Sequence, residues 1–367
     1  MEQNSFAYDG SKIPSPSAKG RDCAIYIHQH ICISPQHTSD TIDLDKVEHS
    51  EEGKLAALEP TLEGVPPGMI RRMSKAVRMG LGAGLPIVAG NRIDGIIIGT
   101  ANGGMDDCIK FLNQIIDYDE GLLTPGSFVQ STPNAIAGQL SLITKNHHYN
   151  ATHVHLGLAF ENALIDAKML LGDNPGAQYL VGAVDEISTY NYNIDYLAGW
   201  YDKTIESENL YNTNLPATIA GEGAAMFLVS HEPENAIAKI AAIESLHTTD
   251  LNTVKDRFKD FLAKQKIDAS KTVYVSGENG DTRLNPFYAA CEDLMKESPT
   301  IRYKHLTGEY PTASSFATWL ASFILQNQSA PNSLYKNNSR PNQIEDVVLY
   351  NNYHGIQHSF LLLSMVK

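Results

Sequence analysis

The chain has 367 residues, 43% of them hydrophobic and 19% charged, so it can form a sizeable core and lacks the composition of a disordered protein. Its 28 basic and 42 acidic residues give a formal net charge of −14, which argues against nucleic acid or an anionic membrane surface as the main partner. No apolar run reaches the roughly 18 residues of a membrane span, and the four cysteines include no Cys-x-x-Cys pair. These features predict a soluble, cytoplasmic protein of mixed α/β class.

The first third of the chain begins with polar sequence and then alternates between element types. Residues 1–21 are small or polar and predict a mobile N-terminal arm. A first strand is expected from Cys23, and the acidic residues 36–64 favour an excursion over the surface. Apolar residues at helical spacing predict one helix over 69–79, and the apolar run 95–100 predicts a buried parallel strand.

Strands and helices continue to alternate to the C-terminus, which predicts parallel sheets with right-handed crossovers. The expected strands lie at 153–156, 179–184, 224–229, 240–243, 273–275, 347–350 and 360–363, and the expected helices at 105–118, 159–171, 254–265, 287–297 and 313–326. Residues 97–103 and 274–280 echo one another, because each is an apolar strand that runs into a small-residue loop with Asn-Gly. This echo predicts two similar α/β halves.

Several segments occur in the order seen in β-ketoacyl synthases of the thiolase fold, namely 181–186, 221–225 and 304–309. The resemblance is closest to the chain length factor type found in aryl polyene and flexirubin pigment clusters, and it rests on 69–74, 128–138 and 304–314. It implies a five-layer αβαβα architecture with halves at 22–235 and 236–367. It also implies a dimer formed through the central strands.

The resemblance further implies where catalysis would occur. A ketosynthase uses a Cys thiolate at a helix N-terminus and two histidines that stabilise the charge formed when malonyl-carrier protein loses carbon dioxide. The cysteine position falls at about Gly157, and the histidine positions fall at Ser276 and Glu309, whereas the family's lysine is present as Lys304. The nucleophile and both histidines are therefore replaced, which predicts a catalytically silent subunit.

Other polar side chains near these positions leave alternatives open. His155, which alternates with His153 on a predicted strand, could polarise a bound acyl group or could be an ordinary strand histidine. Glu309 could pair with Lys304 or could support the helix that follows. If the protein were an enzyme, the side chains available for charge stabilisation would be Lys304, His305, His354 and His358.

Two further groups of residues are candidates for binding partners. In the family, the segment matching 128–138 crosses the dimer interface and shapes the partner's acyl tunnel, so interface candidates are Phe128, Gln130, Ser131 and Thr132. Two pocket candidates lie elsewhere, because the bulky Phe160 could end the tunnel and Glu309 could line the old pocket. Plain core packing is the alternative for them. A basic face at helical spacing predicts docking of an acidic acyl carrier protein, or else a solvated face paired with nearby acids, and consists of Arg71, Lys75 and Arg78.

Three functions are compatible with the sequence. The first is a chain length factor subunit that pairs with an active ketosynthase, or with itself, in the synthesis of polyene or fatty-acid-type chains such as aryl polyene or flexirubin pigments. The second is a 3-oxoacyl-acyl carrier protein synthase or acyltransferase with an unusual active site, and the third is a scaffolding homodimer. No metal-ligand spacing is present and no cofactor is expected.

Overall fold

The computed structural model describes residues 24–367, apart from positions 40, 41, 122, 124, 338 and 342. The predicted arm 1–21 and Cys23 lie outside the described residues. Within them, the main sheet is built from strands β1 to β10, which are Ile25–Ile33, Gly95–Gly99, Tyr149–His153, Gln178–Asp185, Gly223–Ser230, Ala238–His247, Thr272–Ser276, Thr300–Arg302, Asp346–Tyr353 and Gln357–Ser364. A short parallel pair, Lys54–Leu55 with Ala220–Gly221, stands apart from this sheet.

The ten strands form two sets of five with the same topology. Their orders are β3-β2-β4-β5-β1 and β8-β7-β9-β10-β6. In each set three parallel strands are followed by two antiparallel neighbours. The sets meet where β1 pairs with β6, at Ile25–Ile240, Tyr26–Lys239 and Ile27–Ala238. The expectation of parallel sheets is therefore wrong for two strands of each set. In the second set a tight turn joins β9 to β10, which only antiparallel strands allow.

The predicted internal echo marks equivalent positions in the two sets. Residues 97–103 include the end of β2, residues 274–280 include the end of β7, and each strand is second from the edge of its set. The expectation of two similar α/β halves is confirmed. The proposed boundary at 235/236 falls between β5 and β6, and it stays a prediction.

Eleven α-helices are present in the described residues. Helices α1 to α11 are Pro67–Ile70, Lys75–Ala89, Met105–Asp117, Pro125–Gln130, Ala135–Thr144, Ala159–Asp173, Thr189–Leu197, Leu251–Gln265, Asn285–Leu294, Lys304–Thr307 and Ser314–Asn327. No helix in this part of the chain is long and apolar enough to cross a membrane.

Strand alternation sorts these helices into three layers. On β2, Ile97 faces the central cluster that contains α6 and α11, whereas Ile96 and Ile98 face an outer cluster with α2 and α5. On β7, Val275 faces the same central cluster, whereas Tyr274 faces a second outer cluster with α8 and α9. Successive residues of a strand point to opposite faces, so each of the two five-stranded sets is buried on both sides. The predicted αβαβα arrangement is confirmed.

The helix expected over 69–79 is wrong as a single element. The helix α1 ends at Ile70, and Ser74 begins α2 with its hydroxyl accepting the N–H of Val77. The buried side chain of Gln130 fixes the break, because its carbonyl accepts the N–H of Ser74 while its amide donates to the carbonyl of Arg72. Tertiary hydrogen bonds thus override the local helical pattern.

Two other expectations change in the structure. The segment 36–64 is not only a surface excursion, since Leu44, Leu55 and Leu62 are buried in it. The strand expected at 153–156 runs instead from Tyr149 to His153, so the backbone leaves the sheet before the position suggested for the nucleophile.

Candidate functional site

The carboxyl ends of the parallel strands meet at a buried polar cluster, which is where open α/β sheets place their sites. Asp185, the last residue of β4, accepts hydrogen bonds from the Thr100 hydroxyl at 3.0 Å and from the N–H groups of Ala101 and Asn102. Its second oxygen accepts the Thr312 hydroxyl at 2.7 Å. Burial raises the pKa of Asp185, and these four donors oppose the rise. Asp185 therefore ties the loop after β2 to the chain just before α11.

At the position suggested for the nucleophile there is no room for a side chain. Gly157 lies in a 3₁₀ turn just before α6, and its N–H donates to Gln357 Oε1 at 2.8 Å. A Cβ atom on Gly157 would lie 2.7 Å from Tyr353 Cγ and still closer to Tyr353 Cβ. Such distances are well inside van der Waals contact, so even alanine requires Tyr353 to move.

The neighbours of Gly157 supply no nucleophile either. His155 is exposed and its Nδ1 lies 2.8 Å from Asn162 Nδ2, while Leu156 is 46% exposed with a left-handed φ of 47°. The cysteines in the described residues sit on other elements: Cys32 is in β1, Cys108 in α3 and Cys291 in α9. Even if the nucleophile position lies one or two residues before or after Gly157, the residue there is not a cysteine.

The two positions that the resemblance suggests for the histidines hold a serine and a paired carboxylate. Ser276 is buried at the end of β7. Glu309 Oε1 lies 2.5 Å from Lys304 Nζ, and its Oε2 accepts the Asn279 amide at 2.8 Å. Burial raises the pKa of Glu309 and lowers that of Lys304, and their mutual attraction opposes both shifts. A buried carboxylate at this point repels developing negative charge, which is the opposite of what decarboxylation needs.

A second acid lies close to this pair. Glu161, in the first turn of α6, is fully buried. Burial raises its pKa, while the hydroxyls of Ser359 and Ser314 and the charge of Lys304 lower it. Two acids and one lysine thus lie in this region, where the resemblance implies two imidazoles that stabilise an enolate or oxyanion.

The structure separates two of the candidate histidines from this centre. The His305 backbone N–H donates to the hydroxyl of Tyr211, and its ring lines a surface cavity of about 400 Å³ with Arg302. Burial and then the charge of Arg302 lower its pKa to about 4. His358 belongs to β10, and its Nε2 donates to the Thr248 carbonyl at 3.0 Å. Burial lowers its pKa to about 4, so both rings are neutral near pH 7.

The third candidate, His354, is part of a stack of planar groups. Its ring lies 3.8 Å from that of Trp200 at an interplanar angle of 2°, and 4.0 Å from that of Tyr353 at 15°. The guanidinium of Arg283 covers the other face of Trp200 at 4.0 Å. We call these four side chains the planar stack. Burial, and then the charges of Arg283 and Lys304, lower the pKa of His354 to about 3.

Four of the predicted pocket and interface residues divide into two environments. Phe128 is 60% exposed and its ring lies 5.4 Å from that of Phe111. Ser131 and Thr132 follow it on the surface side of α4, with the Ser131 hydroxyl donating to the Phe128 carbonyl at 2.7 Å. Phe160 instead packs in the central layer, 5.8 Å from Phe227.

The predicted basic face is not formed. Arg71 lies in the turn after α1, while Lys75 and Arg78 lie in the first turn of α2, so the break between the helices removes their common spacing. Lys75 forms an ion pair with the buried Glu222, and Arg78 Nε lies 2.5 Å from Glu59 Oε2. Neighbouring acids therefore neutralise two of the three cations.

The sequence interpretation missed several residues that shape this region. Tyr353 and Gln357 flank the turn that the resemblance covered, but no local pattern shows that they fill the space at Gly157. Trp200 carries no motif at all. Glu186 follows Asp185 in the segment 181–186, which carries part of the resemblance. Its raised pKa depends on Asp106, Asp107 and Glu222, which only folding brings near it.

Glu186, the residue after β4, is a buried acid whose side chain lies against the first turn of α2. One oxygen accepts the N–H of Ala76 at 2.8 Å, and the other has no hydrogen-bond partner in the described residues. Burial raises its pKa to about 7, and the charges of Asp106, Glu222 and Asp107 add to the rise.

We expect Glu186 to make stability depend on pH. Because its folded pKa of about 7 exceeds the unfolded value of 4.5, its stabilising contribution is complete below pH 4.5 and is lost as the pH rises through 7. Glu186→Gln should therefore be more stable than the wild type at about pH 8, by roughly 2–3 kcal/mol, and should gain nothing at about pH 4. Urea unfolding at both pH values measures this, and an equal effect at both would contradict it.

Comparison with known proteins agrees with this architecture. The family described as "Beta-ketoacyl synthase, N-terminal domain" matches residues 46–195. The solved ishigamide ketosynthase/chain length factor is 10% identical, with 94% of this chain and 99% of that chain covered and a TM-score of 0.74. The chain therefore has the thiolase fold of these ketosynthase structures, and part of it matches the β-ketoacyl synthase family.

Two further solved structures resemble this chain. The ketosynthase ApeO in complex with its chain length factor ApeC, from Xenorhabdus doucetiae, is 15% identical, with 93% and 98% of the two chains covered and a TM-score of 0.71. AntDE:AntF, a type II polyketide synthase acyl carrier protein in complex with its ketosynthase, is 14% identical, with 94% and 99% covered and a TM-score of 0.67. At these identities the likeness establishes the fold. No curated protein matches the sequence.

Proposed function

We propose that this chain is the non-catalytic, chain-length-factor-type subunit of a β-ketoacyl synthase heterodimer. The observation that carries the proposal is that Tyr353 fills the space which a side chain at position 157 would need. The Gly157 N–H is in addition bonded to Gln357. A covalent catalyst that loses its nucleophile typically loses a factor on the order of 10⁶ in turnover. Ser276 and the Lys304–Glu309 pair stand where the resemblance implies the two histidines that assist decarboxylation.

The proposed partner is a ketosynthase that retains its cysteine. Val154 at 53% and Leu156 at 46% stand exposed between β3 and Gly157, and Phe128 at 60% and Val129 at 56% stand exposed on α4. Edge strand β3 pairs on one side only, with β2. Exposed apolar surface beside an open sheet edge supports pairing with another protein chain.

The proposed role of this subunit is to limit the length of the growing chain through Phe128, with Ser131 and Thr132 beside it. The products would be polyene or fatty-acid-type chains of the aryl polyene or flexirubin kind, made in the cytoplasm. Resemblance of the segments 69–74, 128–138 and 304–314 supports this assignment. An acyl carrier protein would deliver the substrate and dock near Arg71, which is exposed in the turn after α1, whereas Lys75 and Arg78 are paired with acids.

Reconstitution with an active ketosynthase tests the proposal. Condensation of acyl- and malonyl-carrier protein should require both subunits and should vanish when the partner's cysteine is replaced by alanine. The Phe128→Ala subunit should give longer products by mass spectrometry because the wall it forms is lost. Leu142→Ala, another exposed apolar side chain at 69%, is the matched control and should leave product length unchanged.

The same assay separates the alternatives. Covalent acylation of the isolated chain would show that it is a synthase or acyltransferase in its own right. Unchanged product lengths with Phe128→Ala would remove the chain-length role. Arg71→Glu should raise the KM for carrier protein without changing product length, and an unaltered KM would exclude docking at this turn.

A further inference from the structure

The planar stack runs from the surface to Gly157. Its outermost member, Arg283, has a side chain that is 36% exposed. Next come Trp200 and His354, which are partly buried, and then Tyr353, which is 5% exposed and abuts the buried Gly157. Three successive face-to-face contacts of about 4 Å leave no gap between them. The stack therefore fills one continuous path from solvent to Gly157, the position where the resemblance places the nucleophile.

Contacts outside the stack hold its two outer members. Arg283 donates to both oxygens of Asp281, which is fully buried, and to the Gly199 carbonyl at 2.9 Å. Trp200 follows Gly199 directly and donates its backbone N–H to the Asp195 carbonyl at 2.8 Å. These bonds fix the loop after α7 against the loop after β7.

The inner members are held by the turn between β9 and β10. His354 has a left-handed φ of 54°, a conformation that costs backbone energy for a residue other than glycine. The rings of Trp200 and Tyr353 stack on the His354 ring, and Arg283 lies over Trp200. These contacts offset the backbone cost. Tyr353 ends β9, and the chain then returns through Gly355 to Gln357, which binds the Gly157 N–H.

We propose that the planar stack is a built-in plug that closes this subunit to a carrier-bound acyl thioester. The inference rests on the proposed function, because only the resemblance makes Gly157 the position of the nucleophile. The plug keeps the Lys304–Glu309 pair away from water and leaves the acyl chain to be held by the partner subunit. It is formed by residues from both halves of the chain, so it assembles only in the folded protein.

Hydrogen exchange at Gly157 tests the plug in the intact chain. Its N–H is bonded to Gln357 and lies beneath the stack, so exchange should be slow. Trp200→Ala removes one layer and should raise the exchange rate of this amide by about tenfold or more. Tyr335→Ala is the matched control, because it removes another ring covered by a cation, Arg340 at 3.4 Å, at a distant site. It should leave the Gly157 amide unchanged.

A thiol probe gives a second readout. In the Gly157→Cys/Tyr353→Gly variant the innermost layer is removed, which makes room for the new side chain. Its thiol should react with a pantetheine-sized maleimide about tenfold faster when Trp200→Ala is added than when Trp200 is present. Site-resolved mass spectrometry separates this thiol from the native cysteines. The exchange measurement does not depend on this variant.

The outcomes distinguish the plug from the proposed function. Exchange at Gly157 that is the same with Trp200 and with Trp200→Ala overturns the plug, as do equal labelling rates. Partner-dependent condensation would in that case still support the proposed function. Covalent acylation of the isolated wild-type chain overturns both, because the thioester must then enter this subunit.

Discussion

Replacing Lys304 by methionine is expected to lower the free energy of unfolding by about 3–5 kcal/mol, because it leaves the Glu309 charge buried without its partner. Both side chains are at most 3% exposed, and their charged atoms are 2.5 Å apart. Glu161 lies near enough to Lys304 for its charge to raise the pKa of the lysine, so the loss of the cation also isolates a second acid. Urea unfolding of the purified variant measures the change.

The double variant Lys304→Met/Glu309→Leu is the matched control. Replacing a buried ion pair by apolar residues of similar volume is often neutral or stabilising, so most of the lost stability should return. The remaining deficit comes from Asn279, whose amide loses its acceptor on Glu309. If the single variant were as stable as the wild type, the pair would not be buried and the charge argument against catalysis would fail.

Gly157→Ala is the second substitution with a large expected effect. The added methyl group overlaps Tyr353, and overpacking of this kind typically costs about 1–3 kcal/mol. Tyr353 cannot retreat easily, since His354 stacks on its ring at 4.0 Å. Gly176→Ala is the matched control, because nothing lies within 4 Å of its added Cβ. Thermal or urea unfolding should show no more than about 0.5 kcal/mol for the control.

The result bears directly on the proposed function. A Gly157→Ala protein with wild-type stability would mean that the space beside α6 is open, and the claim that Tyr353 occupies it would be wrong. Destabilisation of Gly157→Ala that Tyr353→Gly partly relieves would show that the two positions are coupled through this contact.

The order of elements could be predicted well from the sequence. Buried strands are continuous apolar runs, as in β2, β4 and β5, and such runs are recognisable without tertiary information. The echo between the ends of β2 and β7 indicated two similar halves, and the strand order confirms it. The helix expected over 69–79 failed because a glutamine 58 residues away, Gln130, binds the backbone at the break.

The candidate site was less predictable. Three histidines looked equally suitable in the sequence, yet His305 lines a surface cavity, His358 bonds to Tyr350 and Thr248, and His354 stacks in the plug. Their surroundings come from other parts of the chain. Strand alternation and turn geometry decide which way each ring faces, and a shift of one residue reverses the face.

By itself the sequence determined the layer architecture of this chain and the lack of a cysteine near Gly157, because apolar periodicity and residue identity are local properties. Only the tertiary structure decided what replaces that cysteine. Gln357, which binds the Gly157 N–H, lies 200 residues further along the chain, and the planar stack joins side chains from three separate loops. Contacts between residues distant in sequence form only when both halves are packed, since close packing brings specific side chains together that no local pattern specifies.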